Sequence, residues 1–155
     1  VRKDKPSRGA KRETATPVVV RRVRERPPGP VLIDTSVLIW WMTDVPKLSR
    51  LARTVLESNA SALVSAVSLW EIGMKVRNRK LDLGVEFVDF VRAVESTAEL
   101  TVLPVDLPTW LGVVELDWDH GDPADRIIVA TALRHRATLV SSDRAIRAFY
   151  AEAVW

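Results

Sequence analysis

The sequence predicts an α/β domain: a central parallel sheet of four to five strands with helices on both faces. Three observations carry this. Apolar runs of three residues recur between longer segments whose apolar residues keep helical spacing. Acidic or hydroxyl residues close the short runs and open the long ones. No internal repeat breaks the alternation, so strand and helix take turns, the pattern of a parallel sheet flanked by helices.

The elements follow in order. Val31-Leu32-Ile33 reads as a buried strand ending at Asp34, and Ser36 is expected to cap a helix carrying Val37, Leu38, Trp40 and Trp41. Ser49 is placed to cap the next helix, with Leu51, Val55 and Leu56 at helical spacing. Ala62-Leu63-Val64 is a second strand. Ser68 is expected to cap a helix from Leu69 to about Arg79, with Glu71 in its first turn. Phe87, Phe90, Val91 and Val94 mark another amphipathic helix. Thr101-Val102-Leu103 is a third strand stopped by Pro104, and Leu107 to Leu116 is helical. Asp122-Pro123 pairs a capping residue with proline at the first helical position, ahead of Ile127, Ile128, Val129, Ala132 and Leu133. Thr138-Leu139-Val140 is a fourth strand, Asp143 to Tyr150 a short helix, and Ala153-Val154-Trp155 an edge strand.

Charge is segregated. Residues 1–30 hold ten Lys or Arg against three acids, a balance of +7, whereas residues 31–155 hold thirteen against seventeen, a balance of −4. The first segment ends in Pro27-Pro28-Gly29-Pro30, which suits neither a helix nor a central strand, so 1–30 is expected to be a basic, disordered extension and 31–155 the folded domain. Pro17-Val18-Val19-Val20 is the extension's one strand candidate. A basic tail suits contact with nucleic acid or an acidic surface, and equally a solvated tail with no partner. The chain has no Cys, which rules out disulfides and thiolate metal sites. No apolar run approaches the ~20 residues of a membrane-spanning helix, and no signal-peptide pattern opens the chain. A soluble, cytoplasmic protein is expected.

Ligands of an open α/β sheet gather beyond the carboxyl ends of its strands. Asp34 directly follows the first strand, and Asp143 follows the fourth with only Ser141-Ser142 between. Glu71 and Asp125 open helices that begin at the same edge, and Asp122 precedes Asp125 by three residues. Any one of these acids is also what a helix start favours, by capping and by the helix dipole; Asp122 in particular reads as a cap. As a set they would repel one another and hold each other protonated unless a cation neutralised them. An oxygen-only donor set suits a hard ion, Mg²⁺ or Mn²⁺, which activates water and offsets charge on a phosphoryl group.

Four strings carry a resemblance: Leu32-Ile33-Asp34-Thr35-Ser36, Ser68-Leu69-Trp70-Glu71-Ile72, His120-Gly121-Asp122-Pro123-Ala124-Asp125-Arg126 and Leu139-Val140-Ser141-Ser142-Asp143. In this order and spacing they closely resemble PIN-domain ribonucleases, and within these the VapC toxins of VapBC toxin–antitoxin systems. The resemblance spans roughly Val31 to Trp155. It implies a Rossmann-like sheet and a Mg²⁺- or Mn²⁺-dependent endoribonuclease whose acidic quartet is Asp34, Glu71, Asp125 and Asp143, with Asp34, Asp125 and Asp143 the main metal ligands. Thr35, Ser36 and Ser141 stand where such proteins often carry hydroxyls that orient water or carboxylates, and Ala124 stands where a larger residue, commonly Phe, is usual. A homodimer and a VapB-like antitoxin covering the active site are implied as well.

An acidic pocket repels RNA, so cations must hold the backbone nearby. Lys75, Arg77, Arg79 and Lys80 form the densest basic run, and Arg144 and Arg147 flank Asp143. The run fits RNA contact and a solvated helix end equally well. Arg126 is expected to pair with a neighbouring acid, His120 to be incidental, and the Trp residues to be mostly core. Three rival functions remain. A haloacid-dehalogenase-like phosphotransferase using Asp34 wants an acid where Ser36 stands. A response-regulator receiver wants an acidic pair ahead of its phosphorylated Asp. A catalytically silent binding module would have no need of all four acids.

Overall fold

The structure, a computed structural model, describes residues 29–155. Most of the basic extension, with its strand candidate at Pro17–Val20, lies outside the described residues. Five strands form one sheet: β1 (Val31–Ile33), β2 (Ala62–Ser65), β3 (Leu100–Leu103), β4 (Thr138–Val140) and β5 (Ala153–Val154). Every pairing is parallel and the order is β3-β2-β1-β4-β5. Among the described residues seven α-helices connect them, α1 (Thr35–Thr43), α2 (Arg50–Glu57), α3 (Ala66–Arg77), α4 (Phe87–Ser96), α5 (Leu107–Glu115), α6 (Pro123–His135) and α7 (Arg144–Phe149), with a 3-10 turn at Val45–Lys47. Among the described residues no helix is long and apolar enough to cross a membrane.

The sheet is covered on both faces, which is why its strands are apolar throughout rather than alternating with polar residues. Alternate side chains of β1 point to opposite faces. Val31 and Ile33 join Val37, Leu38, Ala52, Leu56, Ile72, Phe90 and Val94, so α1–α4 cover one face. Leu32 joins Ile127, Ile128, Val129, Leu139 and Ile146, so α6 and α7 cover the other. The chain moves outward from β1 through β2 to β3, then returns to lay β4 against the opposite side of β1. That reversal opens a crevice at the carboxyl ends of β1 and β4. Asp34 stands at its floor, its backbone N–H donating to the Val140 carbonyl at 3.1 Å.

Two helix starts differ from the sequence expectation, for one reason: each strand runs into its helix without a loop. α1 is capped by Asp34, not Ser36; Asp34 is still extended and its Oδ1 accepts the Val37 N–H at 2.9 Å. Ser36 lies inside the first turn and donates its hydroxyl to the same oxygen at 3.0 Å. α3 begins at Ala66, not Leu69. Ser65, the last residue of β2, takes the cap position without a capping bond, and its Oγ is the one buried side-chain polar atom without a partner among the described residues. Ser68 is therefore buried within the helix, and Glu71 falls in the second turn instead of the first. The Asp122 cap of α6 and the Ser49 cap of α2 form as expected.

Candidate active site

A concavity of about 210 Å³ at the crevice is lined by Asp34, Thr35, Ser36, Glu71, Lys75, Asp122, Asp125 and Asp143. Five carboxylates from β1–α1, α3, α6 and α7 thus meet in one pocket with a single Lys.

Asp34 is the deepest, 4% exposed. Besides the two donors on Oδ1, its Oδ2 accepts a hydrogen bond from Ser141 Oγ. Burial raises its pKa above the usual value of 3.8 and the Glu71 charge adds to this, against the lowering effect of the bonds from Ser141, Val37 and Ser36. Ser141 is fully buried and also accepts the Asp143 backbone N–H at 3.1 Å, so one hydroxyl ties Asp34 to the start of α7.

Glu71 is held from two sides. Its Oε2 accepts the Thr35 hydroxyl at 2.6 Å, and its Oε1 meets Lys75 Nζ at 2.5 Å, one helical turn on. Thr35 Oγ1 also lies 3.1 Å from Ser68 Oγ. A hydroxyl has one proton, so with Thr35 donating to the carboxylate, Ser68 donates to Thr35.

Asp122 caps α6, its Oδ1 accepting the Ala124 N–H at 2.8 Å and the Asp125 N–H at 3.4 Å. Asp143 caps α7 in the same way, accepting from Ala145 at 2.7 Å and Ile146 at 3.0 Å. Three helix N-termini, those of α1, α6 and α7, therefore face the pocket through Asp34, Asp122 and Asp143, and their dipoles offset part of the repulsion among the acids. Each cap uses Oδ1, leaving a second oxygen on both Asp122 and Asp143. Capping and pocket lining are not alternatives here, since one carboxylate does both.

Asp125 accepts from His120 Nε2 at 2.7 Å through Oδ2. Partial burial raises its pKa, and the charges of Asp122 and Asp143 push the same way, opposed by His120. His120 was expected to be incidental, but that bond ties it to an acid of the pocket. Its ring stacks on Trp118 with centroids 4.1 Å apart and planes 7° from parallel, and Trp118 stacks in turn on Phe149. The signal for it was its place in the loop just before the Asp122-Pro123 helix start, over the first turn of α6. Among the described residues Arg126 pairs with no acid. Its guanidinium donates to the carbonyls of Val113, Leu116 and Trp118, pinning the loop that carries His120.

Of the basic residues singled out from sequence, Lys75 alone lines the pocket; Arg77, Lys80 and Arg144 are exposed and outside it. Four of the six Trp, Trp40, Trp41, Trp118 and Trp155, pack half-buried against the two core clusters as expected, whereas Trp70 is 57% exposed and Trp110 is 48% exposed. Among the described residues no three His or acidic side chains stand at coordinating distance. The pocket nevertheless fits a hard cation in charge and donor chemistry. All its acidic donors are oxygens, one ammonium faces five carboxylates, and the two deepest Asp residues bear raised pKa values that a bound cation would reverse.

A model of the PIN domain matches residues 31–152. This chain belongs to the PIN-domain family. It is also similar to Ribonuclease VapC22 of Mycobacterium tuberculosis, with 31% identity over 124 residues, 76% of this chain and 89% of the relative. Two solved structures share the fold. A toxin-antitoxin complex from Klebsiella pneumoniae superposes with a TM-score of 0.56 at 21% identity, over 81% of this chain and 96% of that one. VapBC2 from Rickettsia felis, bound to a DNA fragment from its promoter, gives 0.58 at 16% identity, over 77% and 92%. At these identities the likeness is one of fold. The PIN-domain assignment agrees with the α/β class, the parallel sheet and the motif resemblance read from the sequence.

Proposed function

We propose that this PIN-domain chain is a Mg²⁺- or Mn²⁺-dependent endoribonuclease, acting in the cytoplasm as the toxin of a toxin–antitoxin pair. The observation that carries the reading is the convergence of Asp34, Glu71, Asp125 and Asp143 on one pocket from elements up to 109 residues apart in a chain similar to Ribonuclease VapC22. Asp34, Asp125 and Asp143 would hold the cation, with Glu71 contributing and Asp122 supporting. When bound, such an ion lowers the pKa of a water and offsets charge on the phosphate oxygens.

The rest of the work belongs to the chain. Ser141 and Ser36 fix the Asp34 carboxylate, Thr35 and Lys75 fix Glu71, and His120 fixes Asp125, so the acids meet the substrate pre-oriented. Lys75 Nζ supplies the pocket's own positive charge beside an incoming phosphate. The antitoxin partner, VapB-like, is supported by the motif resemblance and by the fold neighbours, a toxin-antitoxin complex and VapBC2. Homodimerisation rests on the motif resemblance alone.

The test is cleavage of RNA by the purified full chain, with RNA ends mapped by sequencing. Cleavage in Mg²⁺ that stops with EDTA and with Asp34→Asn is expected. Cleavage unaffected by EDTA, or retained by Asp34→Asn and Asp125→Asn alike, overturns the reading. Acid-labile phosphate on Asp34 would replace it with a phosphotransfer function.

A further inference from the structure

Beside the acidic pocket runs a second, larger concavity of about 510 Å³, lined by Val67, Trp70, Val105, Trp110, Pro123, Ala124 and their apolar neighbours. No charged side chain lines it. We infer that this groove binds an unpaired nucleobase of the RNA strand whose phosphate lies among the carboxylates. The inference rests on the ribonuclease reading and extends it to a subsite that selects single-stranded RNA.

Continuity is the first argument. The two concavities share two helices, α3 and α6. Trp70 immediately precedes Glu71 on α3, and Pro123 and Ala124 lie between Asp122 and Asp125 at the start of α6. Consecutive helical residues are 1.5 Å apart along the axis and about 100° apart around it, so groove wall and acids occupy adjoining faces of one scaffold. A base hangs from its phosphate by a single ribose, and adjoining sites of this kind suit the two ends of one nucleotide.

Chemistry is the second. A phosphate finds no counter-charge among these apolar side chains, whereas the flat face of a base is the apolar part of a nucleotide. Both exposed aromatics of the groove are Trp, at 57% and 48% exposure, on different helices, α3 and α5. Single-stranded RNA is recognised by stacking splayed bases on such side chains, while bases within a duplex are already stacked and cannot enter.

Binding is read by fluorescence anisotropy with Ca²⁺ in place of Mg²⁺, a hard ion that neutralises the carboxylates, on a time short enough that cleavage, checked on a gel, does not intervene. The probes are a labelled mixed-sequence single-stranded RNA of about 12 nucleotides and a strand of equal length with abasic riboses throughout. The full chain is expected to bind the base-bearing strand about tenfold tighter than the abasic one at equal salt. Trp70→Ala and Trp110→Ala should each remove most of that difference by weakening the base-bearing strand alone, and Trp70→Phe should keep it. Trp110→Ala sits away from the acids, so it reads the groove even if Trp70→Ala fails to fold. The inference is overturned if the variants weaken both strands equally or neither. It is also overturned if either Trp→Ala change lowers the sedimenting mass, which would make the groove a contact between copies of this chain. Equal tight binding of both strands by the unaltered chain removes the groove subsite and leaves the ribonuclease reading standing. Binding of neither strand overturns both.

Discussion

Ser141 and Asp34, 107 residues apart in sequence, are joined by a buried hydrogen bond at the carboxyl ends of neighbouring strands. The same Ser141 oxygen accepts the Asp143 N–H, so the hydroxyl sets the distance between two acids of the pocket. Ser141→Ala leaves the buried Asp34 oxygen without its donor. A loss of about 1–3 kcal/mol in urea unfolding is expected, with a larger proportional loss of RNA cleavage than Ser142→Ala produces. Equal cleavage by the two variants would show that this bond is structural only.

Asp34 ties stability to pH. Its folded pKa is raised, so between 3.8 and the folded value the folded chain holds a proton that the unfolded chain has released. Stability therefore falls as pH rises through that window, and the penalty is complete above the folded pKa and absent below 3.8. Asp125 contributes with the same sign. Asp34→Asn should be more stable than the unaltered chain at neutral pH in EDTA, with the gap closing on acidification, while cleavage drops on the order of 100-fold or more. Urea midpoints of both proteins across about pH 4 to 8 measure this. A constant gap would mean that burial of the charge is not its source.

Under the proposed function, His120 acts through the Asp125 carboxylate it bonds. Removing the partner that orients a ligating carboxylate commonly costs about 10- to 100-fold in metal affinity or activity. His120→Ala is expected to shift the Mg²⁺ concentration for half-maximal cleavage upward within that range, with little change in the melting temperature. A variant with an unchanged Mg²⁺ profile would return His120 to a packing role against Trp118.

Arg126 holds three backbone carbonyls of the segment that leads to His120. Arg126→Ala strands them and is expected to cost about 1–3 kcal/mol, with faster proteolytic nicking between Leu116 and His120. Arg126→Lys should rescue little, because an ammonium cannot span three acceptors as a planar guanidinium does.

Divalent metal should stabilise the fold through linkage. Mg²⁺ at about 100 times its dissociation constant contributes about 2.7 kcal/mol if it binds only the folded chain. The rise in melting temperature should vanish in Asp125→Asn. A rise of the same size in that variant would place the ion elsewhere.

By itself the sequence determined the layered architecture and the candidate acids, because both are written locally. Three-residue apolar runs closed by Asp34 or by Ser141–Asp143 mark strand ends, and Asp122-Pro123 marks a helix start. Helix phase was less legible. With no loop between β1 and α1 or between β2 and α3, the residues at the strand ends double as caps, and the local signals at Ser36 and Ser68 point two and three residues too late. Only the tertiary structure decided what each polar side chain touches. Lys75 turns to Glu71, Arg126 to carbonyls instead of an acid, His120 to Asp125, and two Trp stand exposed beside the carboxylates. Such contacts join residues from separate helices and loops. They depend on how the sheet reverses direction at β1 and β4, and no stretch of sequence encodes that on its own.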